Sequence, residues 1–189
     1  MERATELKEA GNVLFKKGDW TAAADMYGQA IVALTSAQLT DTPAQELLSV
    51  LHSNRAACHI NVHDTASALA DCDAALRANP RNVKALYRRA AVYEGMGDDG
   101  PATLAAAATT TTAAAVASSA ASVMAAPRLS RKQCLESALQ DIRALIRIEP
   151  QHQDAGRMAQ RLATALMATR HSEQSYTLAL DRVRVDLRK

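Results

Sequence analysis

Bulky rings are scarce in this sequence: one Trp, one Phe and four Tyr make aromatics 3% of 189 residues. A sandwich or barrel core is hard to fill without them, whereas abundant Ala suits helices that pack closely. A large excess of charge of either sign is missing too. The formal balance is +2, so no global field recruits nucleic acid, and any basic function must come from local placement. The three cysteines, Cys58, Cys72 and Cys134, form no CxxC and no metal-ligand spacing. They read as buried small residues in a reducing compartment. There is no glycine-rich phosphate loop, and no Ser/His/Asp or Cys/His arrangement has a supporting motif. His59 and His63 stand four apart without a third ligand nearby. Neither catalysis, a cofactor nor a bound metal is therefore expected. MERATELKEAGN at the amino end contains no apolar signal region, so a cytoplasmic location is the expectation. Residues 102–126 carry no charge, a run long enough for a bilayer. They are almost all Ala, Thr and Ser, so membrane insertion is not expected.

What is present is a repeat. Gly11, Ala23, Tyr27 and Ala30 are separated by 12, 4 and 3 residues, and Ala56, Ala68, Cys72 and Ala75 repeat those separations. Pro80 follows, where it stops a helix. From Ala56 to Ala90 is 34 residues, the length of a helix–turn–helix tetratricopeptide unit. The third unit breaks and then resumes 36 residues late, at Ala138, Ile142, Leu145 and Pro150. Pro80 and Pro150 are accordingly 70 apart, one repeat plus 36. An insertion thus opens near the turn signal Asp98-Asp99-Gly100-Pro101 and closes near Pro127.

The expected architecture is all-α: a solenoid of three repeats with a capping helix. Helices are expected over about 2–17, 19–35, 43–62, 65–78, 81–97 and 130–148. The segment after Pro150 carries an apolar stripe at Met158, Leu162, Ala165 and Leu166 and reads as the cap that closes a solenoid's core. The organisation is then residues 1–97 for two repeats and the first helix of the third, and 98–129 for an Ala/Thr-rich insertion. Residues 130–170 form the second helix of the third repeat and the cap, and 171–189 a C-terminal extension. The insertion is expected to be a disordered or loosely helical surface loop, since the Thr run at 109–112 opposes helix mildly and no polar face emerges. LALDRVRVDLRK at the end either extends the capping helix or trails as a basic tail.

Chemistry concentrates on the first helices of the repeats. Lys8 and Asn12 lie one turn apart in LKEAGN, Asn54 sits in HSNRAA, and Lys84 and Arg88 are one turn apart in NVKALYRRA. Asn54 and Arg88 are 34 apart, equivalent points of neighbouring repeats. First helices line the concave face of such a stack, so the five side chains can converge there. Lysine and arginine offer only donors, and Asn amides accommodate planar carboxylate or peptide groups. The cluster suits a ligand with two carboxylates close together, namely a chain terminus with a terminal Asp. Phe15 could add an apolar wall for a ligand side chain. Arg55 and Arg89, also 34 apart, read instead as structural contacts between repeats. Trp20 and Tyr27 read as core.

KEAGN, SNRAA and KALYRRA resemble the motifs of carboxylate-clamp TPR domains, found in co-chaperones that bind the C-terminal EEVD tails of 70- and 90-kDa heat-shock chaperones. Lys8, Asn12, Asn54, Lys84 and Arg88 match the five clamp positions. DCDAAL followed by NVKALYRRA is similar to the TPR regions of sperm-associated and UCS-type myosin-folding chaperones, and ALQDIRALIRIEP resembles the latter. The likeness covers 1–97 well and 130–170 in outline; the departures are the insertion and Thr35, where a first repeat would usually end in Pro. The resemblance implies a non-catalytic co-chaperone or adaptor that docks a chaperone to a client or assembly partner, without nucleic acid or membrane. An alternative is a structural scaffold that does not use the clamp. The clamp is expected to be complete within the first 97 residues, with the interrupted third repeat supplying only a cap.

Overall fold

The computed structural model describes residues 1–36, 41–96 and 129–186, with side chains of the last helix described as far as Thr169. Among them are seven helices and no strand. They are α1 (Glu2–Lys17), α2 (Trp20–Ser36), α3 (Thr42–Asn61), α4 (Thr65–Ala78), α5 (Val83–Gly95), α6 (Arg131–Ile148) and α7 (Gln153–Asp186). The expected order and character of the insertion fall on residues outside the described ones. No described helix is long and apolar enough to cross a membrane.

The helix ends follow from local chemistry. Gly18 closes α1 in the left-handed region (φ 82°), a conformation that glycine adopts without cost. The side chains of Asp64 and Asn82 accept from the Ser67 and Ala85 amides and start α4 and α5. Asn82 explains why α5 begins two residues later than the sequence suggests. Ser130 and Gln133 form a reciprocal capping box at the start of α6. Helix α7 continues past the expected cap to Asp186, so the C-terminal extension is helical that far.

Each helix packs on the next along the chain, and α3 also reaches α5. Neighbour-on-neighbour packing of this kind is a solenoid. The residues of the repeat pattern mark where helices cross: Ala23, Ala30, Ala56, Ala68, Cys72, Ala75, Ala90, Ala138, Ile142 and Leu145 are fully buried. One core joins α1, α2 and α3 around Tyr27, Leu34 and Leu51. Another joins α5, α6 and α7 around Leu86, Leu135, Ile142, Met158 and Leu162. All three cysteines are free and buried, and burial pushes the Cys58 thiol up to about 11 and that of Cys72 up to about 12.

Gly11 shows why one repeat position must be small. A Cβ built there would lie 2.7 Å from Tyr27 Cε1 and 2.9 Å from Cδ1. The Tyr27 ring is fully buried and cannot step aside. Gly11→Ala is therefore expected to destabilise the fold by about 1–3 kcal/mol despite alanine's better helix propensity. Chemical denaturation would show the midpoint falling, and a rise would refute the close crossing.

Two arginines, Arg55 and Arg89, tie helices together through ion pairs. Arg55 on α3 grips Asp71 on α4 with both Nε (2.8 Å) and Nη2 (2.7 Å). Arg89 on α5 grips Asp141 on α6 in the same way, at 2.8 and 2.6 Å, and also bonds Asp73 on α4. The first partners are 16 residues apart and the second 52, a difference equal to the 36-residue displacement in the sequence pattern. Arg89 thus joins successive helix pairs, as expected, while Arg55 acts within one pair. Burial alone would raise Asp71, but bonds from Arg55 and His52 outweigh it and hold the carboxyl below its ordinary value.

Candidate functional site

One groove of about 780 Å³ runs across the concave side of α1, α3 and α5. Lys8, Asn12 and Phe15 line it from α1, Asn54 from α3, and Lys84 and Arg88 from α5. All six residues singled out in the sequence therefore face one cavity. The i, i+4 spacing within α1 and α5 and the 34-residue spacing between α3 and α5 bring them there.

Their states differ, and the differences matter. Lys84 is exposed, with no bond or ion pair to any described residue. Arg88 is partly buried, and its Nη1 donates to Ser53 O (2.8 Å) and Ser53 Oγ (2.6 Å). No carboxylate among the described residues lies within ion-pair distance of it, and burial depresses its guanidinium below the ordinary value. Arg55 and Arg89, one position further along, each have a buried aspartate instead.

The Asn12 amide is oriented by its neighbours. Tyr27 Oη donates to Asn12 Oδ1 at 2.8 Å, and Asn54 Nδ2 approaches the same oxygen at 3.5 Å. Burial pushes the Tyr27 phenol up to about 12, so it stays a donor. With its oxygen engaged inward, Asn12 turns its NH₂ outward, where it donates to Glu9 Oε2 at 3.1 Å. Lys8 Nζ lies 3.2 Å from Glu9 Oε1. The Asn12 amide first, and Lys8 after it, hold the Glu9 carboxyl below its ordinary value. This edge of the groove thus already stabilises one negative charge.

Phe15 lines the groove and packs edge-on against Trp20, with ring centroids 4.7 Å apart at 72°. The groove also extends further than the first 97 residues. Glu149 and His152, in the turn between α6 and α7, line its far end. The later part of the chain is therefore more than a cap. His152 stacks on Tyr87 of α5 (5.7 Å, 29°), and its Nδ1 accepts from the Ala155 amide at the start of α7. Sequence reasoning also missed Ser53, Tyr27's hydroxyl and Glu9. Tyr27 stood in the repeat pattern, which reports packing and says nothing of its oxygen. Among the described residues no group of three or more His, Cys, Asp or Glu is arranged to hold a metal ion.

No protein-family model matches the chain. Human mitochondrial import receptor subunit TOM34 is 42% identical over 91 residues, which are 48% of this chain and 28% of that protein. Human sperm-associated antigen 1 is 38% identical over 101 residues, 53% of this chain and 11% of that protein. The chain thus spans less than a third of the length of either relative. Among solved structures, the first TPR of Spaghetti (RPAP3), bound to the HSP90 peptide SRMEEVD, has a TM-score of 0.60 at 23% identity. The likeness covers 88% of this chain and 97% of that one. The second TPR domain of human RPAP3, in complex with the HSP70 peptide SGPTIEEVD, has a TM-score of 0.55 at 20% identity, covering 86% and 96%. The fold is that of a TPR helical solenoid.

Proposed function

We propose that this chain is a non-catalytic co-chaperone or adaptor module, acting in the cytoplasm, whose groove takes the C-terminal EEVD segment of a 90- or 70-kDa heat-shock chaperone. The observation that carries the reading is the Arg88 guanidinium, partly buried in a basic groove without a compensating carboxylate among the described residues. A ligand carboxylate would supply what is missing. Exposed Lys84 offers a second charge one turn away. The terminal carboxylate itself would rest against Lys8, Asn12 and Asn54, displacing Glu9, with Phe15 beside the last side chains. In this reading residues 1–97 carry the five polar contacts, and 130–170 supply the second helix of the third repeat and the capping helix. The TPR domains solved with SRMEEVD and SGPTIEEVD bound support the choice of ligand.

Charge-assisted hydrogen bonds are worth about 1.5–3 kcal/mol each, or about ten- to a hundredfold in affinity. Titration calorimetry with the peptide Met-Glu-Glu-Val-Asp and its C-terminal amide checks the reading. The free acid is expected to bind at least about tenfold more tightly, because amidation removes the charge that Lys8, Asn12 and Asn54 would hold. Equal binding of the two, or none of either, would sink it.

A further inference from the structure

Glu149 is the one carboxylate among the groove-lining residues, which otherwise supply Lys8, Lys84 and Arg88 as charges. A groove suited to an acidic tail gains nothing from an acid of its own unless the tail brings a positive group to it. Glu149 is exposed and has no ion-pair partner among the described residues. Its position is nevertheless fixed. Its amide donates to Leu145 O at 2.8 Å and its carbonyl accepts from the His152 amide at 3.2 Å. Pro150 stiffens the turn, and His152 pins that turn to α5 by stacking on Tyr87.

The reach of an extended tail points to a particular ligand residue. An extended chain advances about 3.3 Å per residue, so the fifth residue before a terminal one lies about 16 Å away. Packed helix axes are about 8–10 Å apart, so two helices cover much the same length. A tail whose terminal carboxylate rested between Asn12 on α1 and Asn54 on α3, and which ran on across α5, would bring its fifth upstream residue toward the turn that carries Glu149. In the two peptides bound to the similar TPR domains, that residue is Arg in SRMEEVD and Thr in SGPTIEEVD.

We infer that Glu149 is a specificity-determining residue, which makes the groove prefer acidic tails bearing a cation about five residues before the terminal carboxylate over tails that are neutral there. The inference rests on the proposed binding of such tails. It assigns SRMEEVD-type tails as the better ligands and SGPTIEEVD-type tails as the weaker ones.

The test measures Kd for SRMEEVD and for SAMEEVD, the same peptide with Ala in place of Arg, on the full chain and on its Glu149→Gln and Glu149→Lys variants. An exposed ion pair changes an equilibrium by about two- to fivefold, so the full chain should favour the Arg peptide by that factor. The preference should fall to about one in Glu149→Gln and reverse in Glu149→Lys. A preference of the same size in all three proteins overturns the role of Glu149 while leaving the groove's grip on the terminus intact. Failure of the unaltered chain to bind either peptide overturns the grip itself, and the inference with it.

Discussion

Arg88→Met is expected to weaken binding of an EEVD peptide by at least about thirtyfold while leaving the thermal midpoint unchanged or higher. The opposite signs come from one fact: the guanidinium is partly desolvated against neutral acceptors only. Ser53 O and Oγ take two of its hydrogen bonds through Nη1, and the remaining donors meet no acceptor among the described residues. Burial already works against the charge, as its depressed value records. Methionine keeps much of the volume and the apolar stem and removes a charge that the free protein leaves uncompensated. Ser53 is itself buried, but it lies inside α3, whose ladder keeps its carbonyl bonded one turn on, and its hydroxyl can turn to the carbonyl one turn back. Removing one partner of a desolvated charge pair costs about 2–5 kcal/mol of binding, hence the lower bound of about thirtyfold. Calorimetry with the peptide and a thermal melt of the free protein read the two effects separately. A midpoint that drops along with affinity would make Arg88 a structural tie like Arg55 and Arg89.

Much of the fold was readable from the sequence because its signal is steric. Gly11, Ala23, Tyr27 and Ala30 recur in spacing because helices cross there, and a crossing demands small or exactly fitted side chains whatever the rest of the chain does. The groove residues were readable for a related reason. Helical period and repeat length together fix which face a residue takes, so Lys8, Asn12, Asn54, Lys84 and Arg88 could be assigned to one surface beforehand. Hydrogen-bond partners carry no such period. Nothing in the spacing distinguished Arg88, which among the described residues bonds only Ser53, from Arg89, which grips Asp141. Glu149 and His152 lie in a turn, where neither a 3.6-residue period nor a repeat offset reaches, and so the far end of the groove was not foreseen. Helix α7 outran its expected end because no proline or glycine stops it after Gly156.

The second large effect is expected at Asp141, and its size should not follow the shortest contact. Arg89 makes its closest approach to Asp73, at 2.5 Å, against 2.6 and 2.8 Å to Asp141. Yet the Asp73 side chain is 43% exposed and that of Asp141 only 6%. Water competes for the first carboxylate and not for the second. Asp73→Ala is therefore expected to cost less than about 1 kcal/mol, as surface pairs do. Asp141→Ala strips a buried, two-pronged pair and leaves Arg89 only the more exposed Asp73 as a partner, at up to about 3–5 kcal/mol. In a chain of this size that lowers the melting midpoint by about 6–20 °C. The loss also bears on binding, because Asp141 anchors α6 to α5 and the turn after α6 carries Glu149 and His152. Below the new midpoint, Asp141→Ala should still distinguish the free-acid peptide from its amide, since Lys8, Asn12 and Asn54 lie on α1 and α3. Its preference for SRMEEVD over SAMEEVD should shrink, since the turn that holds Glu149 loses its anchor. Equal destabilisation by the two alanine substitutions would mean that contact distance, and not burial, sets the strength of these ties.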